Sequence, residues 1–380
     1  MPLPTPADAV ARKSRVSEPV PGFVFDIEDG LYTTVTADSF PEPKIAREEK
    51  IRLKPEGFAK DIEVRVLWAP DRKPLAVLIP GLVDGGTDKQ TQLWKSYLHA
   101  AGYHVLTFDS PFLPTFNTRS RHGVAGNLLE EAKLVANLVA AFLGHPKTKG
   151  RVTQMGLVGL SYGGTLALNI ARMAAENRSA IRPQQVLAFS PPVSMRTAAR
   201  ILDTFYAENR WNYTLVDMAK DLSEHKPVPK GKAVPFSAAE MRAGIGTMFR
   251  LNLRGVVLFD DRVYKLGLLP KEPDEYRRDM AGTWTFNQFM EEMAMAYWSR
   301  KSSCNAAEFW TAGDLTDVVK ACPDTVHVIL AEDDPLNDPL ELNRFLDSVD
   351  QAKRMVLPHG GHLGYARTEW AKNRVAKLFP

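Results

Sequence analysis

From residue 51 onward, short apolar runs rich in Val, Ile and Leu alternate with longer segments whose apolar residues recur every three or four positions. The short runs, at 51–53, 62–68, 75–79, 103–108, 154–160, 186–189, 325–331 and 353–357, have the length and composition of strands. Among the longer segments, 90–101, 127–143 and 368–378 read as helices. The second is the clearest: Leu128, Leu134, Val135, Leu138, Val139 and Phe142 share one face, and Gly144 and Pro146 end it. Strands alternating with helices predict a mostly parallel sheet covered on both faces, because a parallel neighbour is reached only by a crossover that packs back over the sheet.

The alternation fails in two places. Residues 1–48, rich in proline and polar side chains, predict an extension that wraps the surface, with an edge strand around 30–37. Between Ser190 and Pro323 the pattern is lost for about 130 residues, far longer than an ordinary connection, which predicts an inserted structure. Its signals are helical. Ser237-Ala238-Ala239-Glu240 fits a capping box, with Phe236 and Met241 placed for a hydrophobic staple, and Phe286, Phe289, Met290, Met293 and Tyr297 recur at helical spacing. The resulting division is an N-terminal extension (1–48), a core in two parts (49–192 and 323–380) and a helical lid between them (193–322).

Chemistry enters at the end of the fifth run. Gly159-Leu160-Ser161-Tyr162-Gly163 follows a strand and opens a segment in which Gly164, Ala167 and Ala171 keep a helix slim. That is the context of a nucleophile elbow, a turn so sharp that the serine hydroxyl stands exposed above the sheet. An acid and then a histidine should follow, each in a loop after a strand. The run 325–331 ends in Glu332-Asp333-Asp334-Pro335 and supplies Asp334, with Asp333 and Asp338 as alternatives. The run 353–357 leads into Pro358-His359-Gly360-Gly361-His362 and supplies His362, with His359 as the alternative held close to the strand end by Pro358. His327, inside an apolar strand, reads as a core residue, and His122 as a candidate pocket residue.

On these residues, in the order Ser161, Asp334, His362, the chain resembles the α/β-hydrolase superfamily from about residue 49 onward. The resemblance implies the α/β-hydrolase fold and an oxyanion hole made by the backbone N–H groups of Leu82, in the turn Pro80-Gly81-Leu82, and Tyr162. The segment 331–335 is also similar to esterases whose acid lies in a "DDP" turn, although Pro80 stands where those carry a histidine. A serine is a poor nucleophile until a base takes its proton; an imidazole can take it and return it, and a carboxylate orients that imidazole. The expected activity is hydrolysis of a carboxylic ester through an acyl-enzyme. Thioesterase, acyltransferase and peptidase chemistry would use the same residues, and a non-catalytic binding protein of this fold is the rival from another class. Methionine and aromatic side chains in the insertion suit a flexible acyl chain. Trp211 and Phe289 are the pocket candidates, beside Phe205, Tyr206 and Tyr213, while the same stripe serves equally to pack the lid on the core.

Composition narrows the field further. No H-E-x-x-H, Cys/His ligand spacing or glycine-rich phosphate loop occurs, so neither metal nor cofactor is expected. The net charge of +3 sets 48 basic against 45 acidic residues without a basic run interleaved with aromatics, which argues against nucleic acid as a partner. No apolar stretch is long enough to span a membrane, and Met1-Pro2-Leu3-Pro4 lacks the features of a secretory signal, so a soluble, cytoplasmic protein is expected unless a leader has been removed. Cys304 and Cys322, the two cysteines, are either bridged or, as two buried thiols, free.

Overall fold

The computed structural model describes residues 20–208 and 236–379, apart from positions 42, 46, 272 and 303. The eight apolar runs form one sheet: β1 (Glu49–Leu53), β2 (Ile62–Leu67), β3 (Lys73–Ile79), β4 (His104–Thr107), β5 (Val152–Leu160), β6 (Gln185–Phe189), β7 (Val326–Ala331) and β8 (Arg354–Leu357). Their order is β1-β2-β4-β3-β5-β6-β7-β8. The β1–β2 and β2–β4 pairs are antiparallel and the remaining five are parallel, so β2 alone runs against the others.

Side-chain alternation divides the strands between two cores. In β3, Leu75, Val77 and Ile79 join one cluster and Ala76 and Leu78 the other. The first core packs α4 (Leu128–Leu143), α5 (Tyr162–Ala175) and the insertion; the second packs α2 (Lys89–Ala100) and α14 (Glu369–Ala376). A sheet buried on both faces explains why its central strands read as continuous apolar runs.

The edge strand expected around 30–37 is a helix, α1 (Gly30–Val35). Asp29 caps it by accepting the Tyr32 N–H at 2.9 Å. The β-branched threonines that suggest a strand satisfy themselves within the helix: Thr34 and Thr36 Oγ1 donate to the carbonyls of Gly30 and Tyr32, at 2.6 and 2.8 Å. Tyr32 and Thr33 are wholly buried, so tertiary packing overrides the propensity.

Between β6 and β7 the described residues of the insertion are helical: α6 (Met195–Ala207), α7 (Ala238–Tyr264), α8 (Asp274–Thr283), α9 (Phe286–Gln288), a π-helical stretch (Phe289–Met295), α10 (Ala296–Ser302), α11 (Ala306–Thr311) and α12 (Leu315–Lys320). The capping box forms at Ser237, whose N–H donates to Glu240 Oε2 at 2.7 Å while its Oγ accepts the Glu240 N–H at 3.3 Å. The insertion is pinched at its base. Met195 N–H donates to Gly313 O at 3.0 Å and Leu315 N–H to Val193 O at 2.9 Å, so the chain leaves and rejoins the core at one point. Among the remaining connections, α3 (Pro114–Ser120) follows β4 and α13 (Pro339–Ser348) follows β7.

Candidate active site

β5 ends in a buried strand and turns directly into α5, and Ser161 takes the whole change of direction with φ +50° and ψ −119°. For a residue with a side chain this costs on the order of 1–3 kcal/mol and persists only where the surroundings enforce it. Here the Ser161 N–H donates to Phe189 O at 2.8 Å, and a Cβ at Gly163 would stand 2.3 Å from Ile79 O. The turn therefore requires glycine beside the serine.

Two further loops meet it. Ser161 Oγ lies 2.8 Å from His362 Nε2, and His362 Nδ1 lies 2.8 Å from Asp334 Oδ2. The second Asp334 oxygen accepts the Leu336 N–H at 2.9 Å, which fixes the carboxylate in its turn. An ionised carboxylate only accepts, so Nδ1 carries the ring proton and Nε2 faces the serine hydroxyl as acceptor. All three side chains are buried.

The neighbours that compete in the sequence are engaged elsewhere. Asp333 accepts the Gly360 and Gly361 N–H groups at 3.2 and 2.8 Å, and burial raises its carboxyl above the ordinary range. Asp338 caps α13 through the Leu340 and Glu341 amides. His359 Nε2 meets Phe25 O at 2.7 Å with its ring stacked on Phe25. His327 contacts Ala352 O from within β7, and His122 pairs with Glu130 at 2.6 Å; neither borders the cavity at the serine.

That cavity is almost wholly apolar and about 40 Å³ in volume. Leu82 and Tyr162 border it beside Ser161, and Met195, Phe286 and Met290 close it from the insertion. As first residue of α5, Tyr162 has an amide with no partner inside the helix. Phe289 stands one layer behind the wall, fully buried, with its ring edge-on to Phe112 at 5.5 Å. Trp211 and Tyr213 lie outside the described residues.

Two carboxyl groups beside the site are not singled out by the motifs. Asp84, in the loop after β3, turns its side chain inward against Gly81, where a Cβ would stand 2.5 Å from Oδ2. Although the residue is part exposed, burial of the carboxyl, with Asp38 and Asp88 nearby, pushes it up to about 7. Glu131 is buried on α4 and accepts from the Tyr162 hydroxyl and the Gly126 N–H, both at 2.6 Å; burial pushes it up to about 7. A signal for Glu131 exists in the sequence, because it is an acid on the apolar face marked by Leu128, Leu134 and Val135. Asp84 has only its glycine-rich surroundings to mark it.

Among the described residues, no group of three or more His, Cys, Asp or Glu comes together to hold a metal, and no helix is long and apolar enough to cross a membrane. Cys304 and Cys322 are free thiols.

A family model described as the alpha/beta hydrolase family matches residues 76–370. Solved structures similar to this chain include an esterase of Pyrococcus furiosus, Pf2001, 12% identical with a TM-score of 0.49 over 87% of this chain and 89% of that one. An esterase of Pyrobaculum calidifontis is 18% identical with a TM-score of 0.42 over 92% and 85%. DcsB, in complex with its substrate analogue, is 16% identical with a TM-score of 0.47 over 87% and 97%. No curated protein matches the sequence significantly.

Proposed function

This chain belongs to the alpha/beta hydrolase family, and from that premise we propose that it is a serine hydrolase that cleaves a carboxylic ester through Ser161, His362 and Asp334. The observation that carries the reading is the continuous contact from Ser161 Oγ through the imidazole to the Asp334 carboxylate, 2.8 Å at each step, opening on an apolar cavity. As Ser161 Oγ attacks the acyl carbon, His362 Nε2 takes the hydroxyl proton, and Asp334 stabilises the imidazolium. The carbonyl oxygen becomes an anion, which the Leu82 and Tyr162 amides receive; each such donor lowers the barrier by about 3 kcal/mol. Collapse breaks the ester C–O bond, and the departing alcohol takes the proton from Nε2. Water, deprotonated by the same nitrogen, then attacks the acyl-enzyme and releases the acid and Ser161.

The cavity points to the acyl side. It is small, about 40 Å³, and lined almost wholly by apolar side chains, which favours short acyl chains. The insertion (193–322) acts in this reading as a lid on the two-part core (49–192 and 323–380), hinged where Val193 and Leu315 pair. A fluorophosphonate probe followed by peptide mapping tests the assignment. The wild type should be labelled at Ser161 and Ser161→Ala should not; labelling that persists in the variant, or none in the wild type, overturns it. A panel of p-nitrophenyl esters of increasing chain length then tests the acyl preference.

A further inference from the structure

We propose that Thr34, on the N-terminal helix α1, is a positioning residue for His362. The proposal rests on reading Ser161, His362 and Asp334 as the reacting set. The His362 backbone N–H donates to Thr34 Oγ1 at 2.8 Å. The Thr34 hydroxyl proton is committed elsewhere, to Gly30 O at 2.6 Å. With its one proton spent inside α1, the hydroxyl faces the histidine as an acceptor, so its orientation is set before the histidine loop docks.

The loop needs an anchor of this kind. Leu363, the next residue, is held at φ +63°, a left-handed conformation unfavourable for a leucine, and such geometry persists only where surrounding contacts over-determine it. Residues 25–34 supply those contacts at both ends of the loop. At its start, Phe25 O meets His359 Nε2 at 2.7 Å and the two rings stack; at its end, Thr34 holds His362. The acid loop is bound into the same assembly. Gly30 packs so tightly on Asp333 that a Cβ would stand 2.0 Å from its carbonyl oxygen, and the Asp333 carboxylate accepts two amides of the histidine loop.

One short helix from the N-terminal extension therefore touches both the loop that carries the base and the loop that carries the acid. A misplacement of about 1 Å at reacting groups is enough to cost on the order of a hundredfold in rate, so an anchor one bond from His362 Cα matters to turnover. The extension serves the reaction from outside the core that supplies Ser161, Asp334 and His362.

Full-length Thr34→Val and Thr34→Ser test this. Each is reacted with a fluorophosphonate over a range of probe concentrations, giving a maximal labelling rate at Ser161 and a half-saturating concentration, with the melting temperature measured alongside. Thr34→Val should lower the maximal rate about tenfold, the rate equivalent of roughly one net hydrogen bond, and leave the half-saturating concentration unchanged. Thr34→Ser, which keeps the acceptor, should restore the wild-type rate. Should Thr34→Val not fold, Thr34→Ala removes the same hydroxyl with less bulk and carries the same expectation. A folded hydroxyl-less variant labelled at the wild-type rate, or a serine variant as slow as the valine one, overturns the positioning role alone. Labelling that survives Ser161→Ala overturns the reading of the reacting set itself.

Discussion

Replacing Glu131 by glutamine should make the protein more stable at high pH and leave it nearly unchanged at low pH. The carboxyl is buried on α4, accepts from the Tyr162 hydroxyl and the Gly126 amide, and has its value raised from 4.5 to about 7 by burial. Such a rise corresponds to about 3 kcal/mol of ionisation cost. Because the folded value lies above the unfolded one, the folded state holds a proton that the unfolded chain has lost between about pH 4.5 and 7. The stability contributed by this group is therefore complete below about 4.5, falls as pH rises toward about 7, and is gone above it. Glutamine resembles the protonated acid. Its oxygen can accept from Gly126, and the Tyr162 hydroxyl can rotate to accept from its amide. Other buried carboxyls, Asp260 and Asp84 among them, also make the wild type pH-dependent, so the informative quantity is the difference between the two proteins. Urea unfolding of both at intervals from pH 5 to 8 measures it. The variant should match the wild type within about 1 kcal/mol at pH 5 and exceed it by about 3 kcal/mol at pH 8. A difference that stays constant across this range, or a variant less stable at pH 8, refutes the reasoning.

Three further outcomes are expected. Met290→Ala, which removes a side chain from the cavity wall, should shift the preferred p-nitrophenyl ester toward longer acyl chains; an equal proportional loss on acetate and longer esters would show that this wall does not set chain length. His362→Ala should lose at least about a thousandfold in turnover while His359→Ala, bonded to Phe25 rather than to Ser161, keeps the same order of magnitude, with circular dichroism establishing that both are folded; the reverse ranking moves the base to His359. Ellman's reagent should count two thiols in the denatured, unreduced protein. In the native protein only Cys304 should react readily, because burial pushes the Cys322 thiol up to about 12; a single thiol or a fast Cys322 contradicts the structure.

The eight strands, the helix on α4 and the capping box at Ser237 are readable from the chain because each depends on residues within a few positions of one another. The elbow is readable for the same reason: Gly159, Ser161 and Gly163 act on one turn, between a strand and a helix with their own periodicities. Local pattern also narrowed the acid and the base to two short loops. It preferred Asp334 and His362 but left Asp333, Asp338 and His359 open, since Asp333 and Asp334 are adjacent and His359 and His362 share one glycine-bearing segment. Which of them meet depends on loop conformation, and the contacts that set it come from far along the chain: Phe25 takes His359, Thr34 takes the His362 amide, and Gly30 presses on Asp333. The threonines of α1 illustrate the limit, since β-branching suggests a strand while burial and backbone hydrogen bonding make a helix. Phe289 illustrates it again: helical spacing placed it on the insertion's inner face, but depth behind that face is a matter of packing, and Phe286 and Met290 reach the cavity instead. Sequence thus determined the elements and the kind of chemistry they can bring together, through short-range backbone and side-chain preferences. Tertiary structure decided which carboxylate meets which imidazole, because that depends on close packing between segments some three hundred residues apart.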